Sequence, residues 1–206
     1  MISIKFALLS SLILIITFTG AGAEDLIFCD SVPLKNTNWA DNFTLPKFDP
    51  EMGVLKAVEI DIDVNMTLNT RAENLDKSNS SSSISSAAKS ELVLILPNSE
   101  EIKANASLAT SRDLPPFDGV NDFSGPSGLN LTESASSGTA NYRVQDVSGF
   151  VAASPGEVLH LRGELGARRR TDSSSGVSSN FRILAGAKVC VSYLYDAMAR
   201  DKGDRT

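Results

Sequence analysis

Two pairings of reactive side chains stand out as possible catalytic groups. Ser86 and Lys89 have the S-x-x-K spacing of serine β-lactamases, whose serine and lysine lie one helical turn apart in a cleft. His160 is the single histidine and lies between two leucines, whereas Ser-His-Asp catalysis requires a serine and an orienting carboxylate beside it. The partner motifs of these hydrolases are absent, so we expect both patterns to be structural and the protein to be non-catalytic.

Alternating acidic residues form a second chemical pattern. Glu59, Asp61 and Asp63 occupy every second position, and side chains two apart on a strand share one face at a spacing of about 7 Å. Paired carboxylates at such a distance can hydrolyse glycosidic bonds or bind calcium. A solvated acidic face of a strand produces the same pattern, and we favour that interpretation.

A short acidic loop is the better calcium candidate. Asp118, Asn121 and Asp122 supply the hard oxygen ligands that calcium prefers on a flexible segment, although their spacing matches no EF-hand. An ordinary turn-rich loop remains the favoured interpretation. A single histidine and two distant cysteines also argue against structural zinc, so we predict no cofactor.

Arg168, Arg169 and Arg170 form the only basic run. Gly166 and the serine-rich segment 172–176 flank it, which predicts a hairpin tip. Such a tip could contact acidic glycans or lipid headgroups, or be a solvated loop, which we favour. The formal net charge of -6 argues against nucleic acid or anionic lipid as the main partner.

The first 23 residues have the three-part pattern of a cleaved signal peptide. Lys5 supplies the positive charge, an apolar run follows, and Ala21 and Ala23 occupy the cleavage positions. An uncleaved anchor is the alternative. We therefore expect the protein to be secreted or at the cell surface, with one domain over residues 24–196. The tail, residues 197–206, is polar and charged, so we expect no membrane span after cleavage.

Period-two alternation of apolar and polar residues is the main structural signal. It is strongest over 58–69, where even positions are apolar, and over 181–195, where odd positions are. Weaker strands are predicted at 25–34, 42–45, 89–96, 101–109, 139–147 and 157–168. Segments 77–88 and 115–128 are predicted as loops, the first because it is mostly serine. The pattern predicts an all-β fold, a single antiparallel β-sandwich domain of about eight strands.

The two cysteines, Cys29 and Cys190, fall near opposite ends of the predicted domain. In an exported protein an even count favours a disulfide, with two free thiols as the alternative. Val189 and Val191 are predicted to face the core, so Cys190 faces outward, and Cys29 does so in the first strand. Two outward cysteines meet only if their strands are neighbours, so we predict that the first and last strands pair.

Asparagine sequons are the remaining modification signal. An exported chain can be glycosylated at N-x-S/T, and Asn79 in the serine-rich segment is predicted to be the most accessible. The candidate sites are Asn42, Asn65, Asn79, Asn105 and Asn130.

Segment 38–55 resembles the start of choice-of-anchor E domains. In that family a Leu-Pro-x-Phe-Asp-Pro stretch, here residues 45–50, leads through a glycine, here Gly53, into a long alternating strand. The resemblance covers roughly residues 31–195. It implies an exported prokaryotic surface protein of β-rich fold and unassigned activity, and it carries over no catalytic residues. The family's C-terminal anchoring segment is not recognisable here.

The sequence therefore predicts a structural or adhesive surface module that contacts cell-envelope or extracellular matrix components, including glycans. A carbohydrate-binding module is the alternative, for which Trp39 and Tyr142 are the candidate aromatics in a chain with only 6% aromatic residues. An extracellular hydrolase is the third alternative.

Overall fold

The computed structural model describes residues 23–137 and 141–198. The predicted signal segment, apart from Ala23, and the predicted tail beyond Met198 lie outside the described residues. Within the described ranges no helix is long and apolar enough to cross a membrane.

Nine strands and two short 3-10 helices make up the described chain. The strands are β1 Ala23–Asn36, β2 Trp39–Pro46, β3 Gly53–Asn74, β4 Ser82–Ile95, β5 Glu101–Leu114, β6 Gly128–Ser137, β7 Tyr142–Arg143, β8 Val158–Ser173 and β9 Val177–Ala197. The 3-10 helices are Pro50–Met52 and Ser148–Phe150.

The strands form two antiparallel sheets. Sheet A has the order β1-β9-β3-β6, with the short β7 also on β3, and sheet B has the order β2-β8-β4-β5. The prediction of an all-β antiparallel sandwich is confirmed, with nine strands where about eight were expected. The strand order could not be predicted from strands that are neighbours in sequence, because β3 is paired with β9, more than a hundred residues further along the chain.

The core lies between the sheets and follows the predicted alternation. The even positions of β3 from Val58 to Leu68 are at most 1% exposed, and Val189 and Val191 of β9 are fully buried. Fully burying one such side chain contributes about 1.5–3 kcal/mol. The two strands with the clearest alternation thus form the centre of sheet A.

The serine-rich segment was predicted to be a loop, and that prediction is wrong for most of its length. Strand β4 begins at Ser82, and Ser82, Ser86 and Ser90 face inward and are buried. The backbone of β4 is hydrogen-bonded to β5 on one side and β8 on the other. Because serine is small and sheet pairing satisfies the backbone, a polar sequence can form a central strand.

Two further predictions about strand positions are wrong. Of the strand expected at 139–147, residues 139 and 140 lie outside the described ranges, and Tyr142–Arg143 is the only strand among residues 141–147. The long edge strand is β6, Gly128–Ser137. The arginine run is not a hairpin tip, because β8 continues to Ser173 and the turn follows at 174–176. The ladder with β2 ends at Leu165, and pairing with β4 alone extends β8 through the arginine run to Ser173.

The predicted disulfide and the predicted strand neighbours are confirmed. Cys29 of β1 is paired directly with Cys190 of β9, and the two form a disulfide with their Cα atoms 4.1 Å apart. Their side chains are half-buried on the outer face of sheet A. The phase of the alternation, together with the expected disulfide, therefore placed the two strands side by side correctly.

Candidate functional site

The outer face of sheet B carries a connected set of open grooves, and we take it as the candidate site. Its central part, which we call the basic groove, has a volume of about 420 Å3. The side chains of the basic groove are those of Ala87, Lys89, Ser107, Ala109, Arg168 and Arg170. Neighbouring grooves of about 560 and 390 Å3 share Arg168 and Arg170, respectively, with it.

Strand alternation sorts the three arginines onto two faces. Arg168 and Arg170 line the basic groove on the outer face. Arg169 points the other way, and its guanidinium lies 3.8 Å from the centroid of the Phe181 ring. A stacked guanidinium of this kind contributes about 0.5–1 kcal/mol at an exposed site. The basic run is therefore divided into a pair that faces solvent and one residue that packs against β9.

The register of three strands builds the floor of the basic groove. Lys89 of β4 is paired with Arg168 of β8 and with Ser107 of β5. One step along the same face, Ala87 is paired with Arg170 and with Ala109. Small side chains thus alternate with cationic ones, which leaves the floor low between the long side chains.

The cations of the basic groove are weakly neutralised. Arg170 Nε lies 3.2 Å from Asp172 Oδ2, and Lys89 Nζ lies 3.1 Å from Glu91 Oε2, both pairs being well exposed. Exposed ion pairs contribute about 0–1 kcal/mol and exchange readily. Arg168 has no ion pair with any described residue. An incoming anion would therefore have to displace only weak, exposed ion pairs.

The larger neighbouring groove has mixed charge and one aromatic wall. Arg162 and Glu164 form an ion pair at 2.8 Å, and Trp39 lines the groove. The Trp39 indole N–H donates to the Ala185 carbonyl at 3.1 Å, and Lys35 Nζ lies 4.8 Å from the ring centroid. The half-buried tryptophan is held in the structure and does not form a free platform.

The residues of the two candidate catalytic patterns lie as follows. Ser86 faces the core and is 4% exposed, whereas Lys89 lines the outer face of the same strand. His160 is exposed, and its Nδ1 lies 3.3 Å from Thr44 Oγ1. Ser86 and Lys89 therefore lie on opposite faces of β4.

The alternating acids lie on the outer face of sheet A, as predicted. Glu59 accepts a hydrogen bond from Asn141 at 3.1 Å and lies 3.8 Å from Arg143. Partial burial, and then the charge of Glu59, raise the pKa of Asp25. Asp61 is paired in register with Cys190, and Asp63 is exposed.

The predicted calcium candidates serve as turn acceptors. Asp118 Oδ1 accepts from the Val120 N–H at 2.9 Å, and Asp122 Oδ1 accepts from the Ser124 hydroxyl at 2.7 Å and its N–H at 2.9 Å. These bonds, the hydroxyl first, lower the pKa of Asp122. Asn121 is exposed. Among the residues described, no three His, Cys, Asp or Glu side chains are grouped to hold a metal ion.

A buried polar cluster at the end of β3 was missed by the sequence analysis. Glu73 is fully buried, and its carboxylate accepts from the Phe123 N–H at 2.7 Å and from the Ser127 hydroxyl at 2.5 Å. Its neighbour Asn74 is also fully buried and donates to the carbonyls of Ser80 and Pro115 at 2.9 and 2.8 Å. A Glu-Asn pair at the end of a long alternating strand was the only signal in the sequence.

These contacts give the cluster a structural role. Asn74 Oδ1 accepts from the Asp76 N–H at 3.0 Å and from the Ser82 hydroxyl at 3.1 Å. Glu73 and Asn74 thus attach the loops 75–81 and 115–127 to the end of the sandwich. Buried polar groups of this kind must be hydrogen-bonded, because each unsatisfied group costs about 1–3 kcal/mol.

All five sequon asparagines are exposed. Asn79 lies in a turn with a φ of 59°, and Asn65 is on the outer face of β3. Asn42 and Asn105 lie on the outer face of sheet B, and Asn105 is paired with Glu91 beside the basic groove. Exposure makes each of them sterically available for a glycan.

The fold and surface define a disulfide-linked, two-sheet antiparallel β-sandwich with a basic groove on one outer face. The chain matches no protein-family model, and none of the curated proteins matches it significantly. The resemblance to choice-of-anchor E domains therefore stays a prediction.

Proposed function

We propose that the protein is a non-catalytic extracellular module, secreted or at the cell surface, with a structural or adhesive role. The observation that best supports this is the disulfide between Cys29 and Cys190, which joins the outermost strand β1 to β9. Disulfides form and persist in oxidising compartments outside the cytoplasm. The predicted signal segment is consistent with that location.

The position of the disulfide suits a domain that bears load. Ala23 of β1 is paired with Asp196 of β9, so both ends of the domain lie at one end of sheet A. A force between these ends opens the β1–β9 ladder from that end. The opening stops at Cys29–Cys190, six residues along β1, because the covalent bond closes the remaining chain into a loop.

The family resemblance supports the same proposal through a structural motif. Within residues 45–50, Phe48 is buried, and Asp49 caps the first 3-10 helix by accepting from the Glu51 N–H at 2.9 Å. A Cβ on Gly53 would lie 2.1 Å from the Asp196 carbonyl oxygen, so this position requires glycine. The motif thus connects β2 of sheet B to β3 of sheet A.

A carbohydrate-binding module is the second candidate, and its binding of sugars would depend on charged side chains. The aromatic platforms that such modules commonly use are engaged here. Trp39 is hydrogen-bonded and covered by Lys35, and the Tyr142 hydroxyl is hydrogen-bonded to Glu100. A hydrolase is the least favoured candidate, since Ser86 and Lys89 lie on opposite faces.

Fractionation of the producing culture tests the proposed location. We expect the protein in the medium or on the cell surface, starting near Glu24, with both cysteines resistant to alkylation until reduction. Recovery of a reduced protein from the cytoplasm would contradict the proposal.

Removal of the gene tests the proposed role. We expect weaker attachment of cells to one another or to a surface, restored by the wild-type gene. Unchanged attachment and an unchanged cell surface would count against a structural or adhesive role.

A further inference from the structure

We propose that the basic groove binds an acidic polysaccharide, a linear sugar chain that carries carboxylates or sulfates. This inference rests on the proposed extracellular function and names the chemical class of its partner. The binding residues are Arg168, Arg170 and Lys89.

The first support is the local concentration of positive charge. The chain has a formal net charge of -6, yet three cations meet on one patch of sheet B. Arg168 has no ion pair with a described residue, and the partners of Arg170 and Lys89 are exposed. Guanidinium groups bind carboxylates and sulfates through two parallel hydrogen bonds. These bonds stabilise a bound anion by more than the free energy lost when the weak surface ion pairs are broken.

The second support is the shape of the basic groove. Arg168 and Arg170 are two positions apart on β8, a spacing of roughly 7 Å, and Lys89 is on the adjacent strand roughly 4.8 Å away. The floor between them consists of Ala87, Ala109 and Ser107. Grooves continue beyond Arg168 and beyond Arg170, so the site is open at both ends. An open channel of this kind admits a polymer with repeating charges.

The surroundings favour a single sugar chain over broader anionic surfaces. Glu91, Glu164 and Asp172 border the cations, and they would repel a membrane or a duplex that covered the whole face. The floor has no aromatic ring on which bases could stack, and the exposed large apolar side chains lie outside the basic groove. Because Glu91 and Glu164 line the groove beyond Arg168 and Asp172 lines the groove beyond Arg170, the favourable contacts of an acidic sugar chain are confined to the basic groove between them.

Binding of the purified protein to alginate, a polyuronate, tests the proposal, with chondroitin sulfate as a sulfated probe and dextran as a neutral one. We expect binding to one or both acidic polymers, none to dextran, and weaker binding at higher salt. The double variant Arg168→Ala/Arg170→Ala should bind at least about tenfold more weakly, since it removes two bidentate charge contacts. Both side chains are exposed, so the variant should fold.

The matched control is Lys56→Ala/Arg143→Ala. It likewise removes two exposed cations, in this case from sheet A, where Lys56 is ion-paired with Asp196 and Arg143 with Glu59. We expect its affinity to stay within about twofold of the wild type, because distant exposed charges are screened. Equal weakening of both double variants would overturn the proposal, as would tighter binding to single-stranded DNA or to phosphatidylserine vesicles.

If the wild-type protein binds neither acidic polymer while fractionation still places it outside the cell, the polysaccharide proposal is contradicted and the proposed extracellular function stands. A cytoplasmic location would instead remove the proposed function on which it rests. The two failures are therefore distinguishable.

Discussion

Cys29 and Cys190 occupy directly opposed positions of β1 and β9, and their disulfide encloses nearly the whole domain in one covalent loop. The residues are 161 apart in sequence, and their Cα atoms are 4.1 Å apart. On β9 the two neighbours of Cys190, Val189 and Val191, are fully buried. The same alternation that directs these valines into the core thus directs the cysteine to its partner.

Removal of the disulfide should destabilise the domain strongly. The chain-entropy model gives a loss of up to about 5 kcal/mol for Cys29→Ser/Cys190→Ser, because a loop of this length restricts the unfolded chain. Urea unfolding monitored by circular dichroism measures the change. Reducing agent should lower the stability of the wild type by a similar amount and leave the variant unchanged. A wild type that is insensitive to reduction would contradict this prediction.

The disulfide should also limit extension under force. When the chain is pulled at its two ends, the 161-residue span between the cysteines cannot lengthen, and reduction should release about 560 Å at roughly 3.5 Å per residue. Single-molecule force spectroscopy with and without reducing agent measures this length. A long unfolding step from the oxidised protein would show that the cysteines are not paired.

The buried Asn74 side chain should be essential for stability. Asn74→Ala removes four hydrogen bonds, including those to the carbonyls of Ser80 and Pro115, and leaves buried polar groups without partners. We expect a loss of about 2–4 kcal/mol in the free energy of unfolding. Asn69→Ala on the same strand is the control: it removes one exposed bond from Thr132, and we expect a loss of less than about 1 kcal/mol. Equal effects of the two variants would contradict the assigned role.

Alkaline pH should unfold the protein through its last two tyrosines. Burial, and then the adjacent Glu24, raise the pKa of Tyr195 from 10.0 to about 12, and burial raises the pKa of Tyr193. Because the unfolded tyrosines release their protons near pH 10 and the folded ones do not, stability is complete below pH 10 and is lost between pH 10 and 12.

Phenolate absorbance and circular dichroism, followed together between pH 9 and 12, measure this effect. We expect part of the tyrosine titration to coincide with unfolding. Tyr195→Phe should lose less stability over this range than the wild type, while both behave alike with pH near neutrality. Titration of all tyrosines near pH 10 without unfolding would contradict the prediction.

The exposed sequons should be modified where the source has an N-glycosylation system. Asn79 lies in an exposed turn outside the sheets, so we expect a glycan there first, detected as a mass shift that Asn79→Gln removes. A glycan on Asn105 would lie beside the basic groove and weaken polymer binding there. Absence of any shift in a glycosylating host would contradict the prediction.

Alternation was enough to predict the central strands of sheet A. In segments 58–69 and 181–195 every second residue is apolar, and only a strand places such residues on one face. The same phase placed both cysteines outward, and with the expected disulfide it predicted that their strands are neighbours. These predictions succeeded because local periodicity decides which face of a strand is buried.

Tertiary structure alone decided the serine-rich segment and the arginine run. Ser86 and Ser90 are buried in β4, whose backbone is paired with β5 on one side and β8 on the other. Arg168 and Arg170 form a groove because β8 continues beyond the predicted turn, in register with Lys89 and Ala87. Composition describes how polar a segment is, whereas burial depends on hydrogen-bond partners that are distant in sequence.

By itself, therefore, the sequence determined the fold class, the inward faces of the longest strands and the outward positions of Cys29 and Cys190, and it favoured a disulfide between them over two free thiols. The three-dimensional structure decided where the strands end, that Glu73 and Asn74 hold two loops, and that three cations meet on sheet B. The physical reason is the range of the interactions. Period-two burial is encoded by adjacent residues, but sheet register and loop anchoring join segments tens of residues apart.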